Sequence, residues 1–89
     1  MGIDRVEASS WSKDRIKEEI ADRRQWIWEW RQEIRDTNTK AELLEEEAME
    51  APYPGAHEKR LDAMSDHVDH LDKVINETTA DVEFLKSLL

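Results

Sequence analysis

The sequence predicts an all-α protein folded as an antiparallel, coiled-coil-like helical hairpin that assembles into a larger helical bundle. Three observations predict it. A heptad stripe runs through the second half, a looser stripe of the same period runs through the first, and one proline- and glycine-bearing interruption separates them. The composition agrees: 39% of the residues are charged against 38% hydrophobic, and two Gly and two Pro occur in 89 residues, a balance that suits long helices and not a sheet sandwich. So polar a chain invites a reading of disorder, but its apolar residues are regularly spaced, and that spacing argues for order.

The first eleven residues carry no stripe and are expected to be loosely ordered, leaving 12–89 as a single domain. The first arm spans about 12 to 50. Its seam alternates Ile20, Ile27, Ile34, Ala41 and Ala48 with Ile16, Arg23, Trp30, Thr37 and Leu44, strong at the isoleucines and compromised at Arg23 and Thr37. Asp36-Thr37-Asn38-Thr39 has poor helix propensity, and Thr39 with Glu42 has the spacing of a capping box. The heptad phase nevertheless survives, because Ile34 and Ala41 stand seven apart. A kink or break near 37–39 and a continuous helix are equal alternatives at this stage.

Ala51-Pro52-Tyr53-Pro54-Gly55 is the stretch that a helix cannot comfortably cross, since each proline removes a donor and restricts its predecessor, so the turn is placed at 51–55. A short connection makes the arms antiparallel neighbours. The second arm, about 56 to 88, carries Leu61, Met64, Val68, Leu71, Ile75, Thr78, Val82, Leu85 and Leu89 in alternating steps of three and four. A 3.5-residue repeat of this kind keeps one stripe facing a partner helix. At about 1.5 Å per residue this arm is about 50 Å long. Val74 and Leu88 lie beside the stripe, and Trp26 lies beside Ile27 and Trp30, so both faces are wider than a two-helix seam requires. Wider faces suit a three- or four-helix assembly, and the expected oligomer is one of identical chains.

Function has to be sought on the surface. A chain of this length buries roughly 60 to 65% of its unfolded surface, which leaves little room for an enclosed substrate pocket. There is no cysteine, no glycine-rich loop to cradle a phosphate, and no apolar setting that would raise the pKa of one carboxylate of a pair; no catalytic residue and no cofactor are assigned. Asp66, His67 and His70 have spacings that can hold two metal ligands, but one helix seldom completes a site, and no metal is assigned either. No apolar run reaches the ~20 residues of a membrane span, and MGIDRVEASS has neither a signal-peptide core nor the Ser or Thr at position 6 that myristoylation wants. A cytoplasmic, soluble protein without membrane contact is expected.

Charge divides the chain. The net charge is -9, which argues against direct nucleic-acid binding. Residues 1–35 balance eight basic against eight acidic side chains, so the whole excess lies in 36–89. Trp28 points about 125° away from the isoleucine stripe, and its neighbours on that side are Lys17, Arg24, Arg31 and Arg35. A tryptophan among arginines has the composition of a protein-binding hot spot. The structural alternative packs Trp28 on the capping loop or lays it across arginine stems. Glu45, Glu46, Glu47, Asp66 and Asp69 form an acidic surface that either keeps the protein soluble or meets a basic partner.

Two functional readings follow. The first is a non-enzymatic interaction or assembly module that uses the heptad seam (Ile20, Ile27, Ile34, Leu61, Val68, Leu71, Ile75, Val82, Leu85) and the Trp28 and arginine face. The second is a small acidic inhibitor, a nucleic-acid mimic of the viral anti-nuclease or anti-CRISPR kind, that blocks a basic nucleic-acid-binding protein. In plan, with Tyr53-Pro54-Gly55 as an aromatic-x-Gly turn, the chain resembles a family of secreted helical-hairpin dimers whose turn is Trp-x-Gly. Tyr53 replaces the tryptophan, and Leu88 stands where that family's export motif would place an acid after Phe84, so no function is carried across.

Overall fold

A computed structural model describes residues 2–50 and 55–89. Helices α1 (Arg5–Ala8), α2 (Lys13–Glu50) and α3 (Gly55–Ser87) account for nearly all of them, and no strand forms among the described residues. The long pair is antiparallel: Glu33 and Glu47, ascending α2, meet His67 and His57 respectively, descending toward the start of α3. The expected turn at 51–54 lies outside the described residues, and Gly55 belongs to α3. The result is a rod of 60 × 18 × 13 Å with a radius of gyration of 18.4 Å, against about 12 Å for a compact domain of this length.

The starts of α1 and α2 are each fixed by a short polar side chain. Asp4 Oδ1 accepts from the N–H groups of Val6 (3.0 Å) and Glu7 (3.3 Å), and Ser12 Oγ accepts from Arg15 N–H (3.2 Å) at the head of α2. Helix α2 then runs through Asp36-Thr37-Asn38-Thr39 without interruption. Thr39 does not cap a new helix; its hydroxyl donates back to the Arg35 carbonyl at 3.0 Å, the bond a threonine makes inside a helix. The in-phase seam residues Ile34 and Ala41 on either side outweigh the weak local propensity.

Burial is uneven along the rod. Ile16, Ile20 and Ile27 of α2 close on Ile75, Val82 and Leu85 of α3, and Leu85 is fully buried. The segment expected to be loosely ordered belongs to this core. Ala8 is 0% exposed, and Ile3 and Trp11 pack against the same cluster. Arg5 lays its guanidinium 4.8 Å from the Phe84 ring centroid and so ties α1 to the end of α3, while Arg15 stacks 4.2 Å from the Trp11 ring. Two helices cannot close their own open end, and this short third element does so.

Toward the turn the seam opens. Leu71 and Leu44 are buried, but Ile34, Ala41, Ala48, Leu61, Met64 and Val68 are half-buried. Leu43 and Met49 are 56% and 88% exposed. Grooves of about 530 and 310 Å³ flank this stretch, and Met64 lines both.

Candidate functional interface

The heptad arithmetic puts Trp28 on the outside of α2, and there it stands, 59% exposed. Lys17, Arg24, Arg31 and Arg35 are exposed on the same helix, Arg24 and Arg31 within one turn of the indole. The guanidinium-on-ring pairs among the described residues involve Phe84, Trp11 and Trp26, and no arginine is stacked on Trp28. The indole therefore presents apolar surface to solvent with cations on the same helix face.

Of the seam residues, Ile20, Ile27, Leu71, Ile75, Val82 and Leu85 are buried, whereas Ile34, Leu61 and Val68 are covered only in part. Glu45, Glu46, Glu47, Asp66 and Asp69 are all exposed, so the acidic surface exists as a surface. His67 does not face Asp66 or His70 as a metal pair would. Its Nε2 lies 2.9 Å from Glu33 Oε1 across the hairpin, with both side chains about half exposed, a hydrogen-bonding contact at the surface. Among the described residues no three His, Asp or Glu side chains come together in a way that could hold a metal ion. No helix among them is long and apolar enough to cross a membrane.

Two features escaped the sequence reading. Trp26, read as widening the apolar face beside Ile27, is 43% exposed, and the Arg23 guanidinium lies 5.4 Å from its ring centroid while pairing with the Glu19 carboxylate one turn away. The Arg23 side chain is only 13% exposed, and pairing with Glu19 together with the stack on Trp26 satisfies its charge within the stripe. The second is Asp81, which is 7% exposed. It stands seven residues from both Val74 and Leu88, so the row flanking the seam reads Val, Asp, Leu. That spacing was the available signal, and it was lost among the many exposed carboxylates.

No model of a known protein family matches the chain, and neither a curated protein nor a solved structure matches it.

Proposed function

We propose that this protein is a non-enzymatic interaction module that self-associates along the half-open part of its seam and engages a second protein through Trp28 and its basic neighbours. The observation that carries the reading is the contrast between the two ends of the rod. One end is closed by α1, Ala8 and Trp11, while the other leaves six seam side chains half-buried beside exposed Leu43 and Met49. Apolar surface of that extent on so narrow a molecule is what a further pair of helices would cover.

Sedimentation or light scattering across concentration tests the first part. The chain of 10.5 kDa is expected to run as a dimer or higher bundle, and Leu43→Lys with Met49→Lys to shift it to monomer without loss of helicity, because neither side chain contributes to the hairpin's own core. A wild-type chain that stays monomeric at every concentration sinks the assembly claim.

The exposed carboxylates on both arms favour the acidic-inhibitor reading as the alternative. Binding to a captured partner separates the two. Under the module reading Trp28→Ala weakens it by at least tenfold, and Lys substitution of Glu45, Glu46, Glu47, Asp66 and Asp69 leaves it within a few-fold, since a hot-spot tryptophan typically carries 2 kcal/mol or more. The reverse pattern would establish the inhibitor.

A further inference from the structure

The outer face of α2 carries a second ordered row. At about 100° per residue, Arg24, Trp28, Arg31 and Arg35 fall within an arc of roughly 60°, and Glu42, Glu46 and Met49 fall within the same arc further along this uninterrupted helix. All are exposed, Trp28 at 59% and Met49 at 88%. No carboxylate of α2 enters the arc before Asp36, and no base enters it after. Asn38 and Glu45 stand beside the arc and line the groove of about 310 Å³ next to the half-open seam, so the row adjoins the surface that assembly would cover.

The order along the row is complementary to itself. Arg35 with Glu42, Arg31 with Glu46, and Trp28 with Met49 are all centred on one point, between Asn38 and Thr39, at about 5, 11 and 16 Å to either side of it. A two-fold axis through that point lays each of these arginines against a glutamate of another chain and each tryptophan against a methionine, the pattern of an isologous interface, where residue i meets j and j meets i. A parallel pairing would set base on base and acid on acid. The ion pairs are exposed, so they act mainly on orientation and register, while burial of the indole against a flexible thioether supplies affinity. Bases outnumber acids along this face, so the chain's net charge of -9 is carried by its other faces.

We propose that Trp28 meets a second copy of this chain, two molecules pairing antiparallel along the outer faces of α2 about a two-fold axis between Asn38 and Thr39. The pairing rests on the interaction-module reading and names the partner at Trp28. Sedimentation equilibrium of the full-length chain tests it with two charge variants, Arg31→Glu with Arg35→Glu, and Glu42→Arg with Glu46→Arg. Each variant gives the four central charges of the row a single sign, and each is expected to self-associate about tenfold or more weakly than wild type at unchanged helicity, since these side chains are exposed. Mixed, the two variants are expected to form a one-to-one complex within a few-fold of the wild-type affinity, and all four substitutions in one chain to restore the homodimer. Trp28→Ala is expected to weaken self-association by about tenfold or more. The pairing is overturned if either charge variant dimerises as wild type does, if mixing the two restores nothing, or if Trp28→Ala leaves the dimer unchanged. In each of those cases a wild-type dimer leaves assembly through the seam standing. A wild-type chain that is monomeric at every concentration removes the assembly claim and this pairing together.

Discussion

Leu85→Ala is expected to destabilise the protein by about 2 to 5 kcal/mol, a large share of the 5–15 kcal/mol that a domain of this size has in total. Leu85 is 0% exposed and lies in the cluster that joins Ala8, Ile16 and Ile20 to Val82, so its truncation leaves a cavity that elements from both ends of the chain line. The comparison that gives the number meaning is Leu61→Ala in the same stripe. Leu61 is half-buried near the turn and already borders a groove, so a cavity there merges with solvent and the expected cost is about 1 kcal/mol. Urea unfolding followed by circular dichroism, at concentrations low enough to keep the chain monomeric, measures both. Equal losses at the two positions would show that the seam is closed uniformly and would remove the basis for a covering partner.

Asn38→Pro is expected to cost about 3 kcal/mol or more. The side chain is exposed, so nothing is lost by its removal. The effect comes from the backbone, where proline deletes one i to i−4 hydrogen bond and drives its ring against the carbonyl one turn back. A hinge or a fresh helix start at 37–39 would accept proline with little change, since proline is tolerated in a helix's first turn. Asn38→Ala, which favours helix, should stabilise by a few tenths of a kcal/mol, and thermal unfolding of the pair reads out whether α2 is one helix or two.

The reach of sequence reasoning differs from element to element. The two arms were legible because a seven-residue apolar repeat has few other structural meanings, and the bounds of about 12–50 and 56–88 lie within a residue of Lys13–Glu50 and Gly55–Ser87. The Asp36 to Thr39 run was not decidable, because its low propensity and its preserved heptad phase point in opposite directions and their balance depends on what packs against Ile34 and Ala41. At the candidate interface the exposure of Trp28 followed from helical angle alone, and so did that of its basic neighbours. The burial of Asp81 did not follow, because it depends on what else covers that row of α3.

What the sequence by itself determined is the hairpin: period, arm lengths and which stripe faces inward all follow from side-chain spacing on a helix, a local geometry that needs no knowledge of the partner helix. What the tertiary structure alone decided is where that seam is closed. Residues 2–12 have no periodicity to read, and it is their docking, through Ala8, Trp11 and Arg5 on Phe84, that seals one end and leaves the other half-open. Contacts between segments some eighty residues apart depend on the shape of a surface that exists only once the arms have paired.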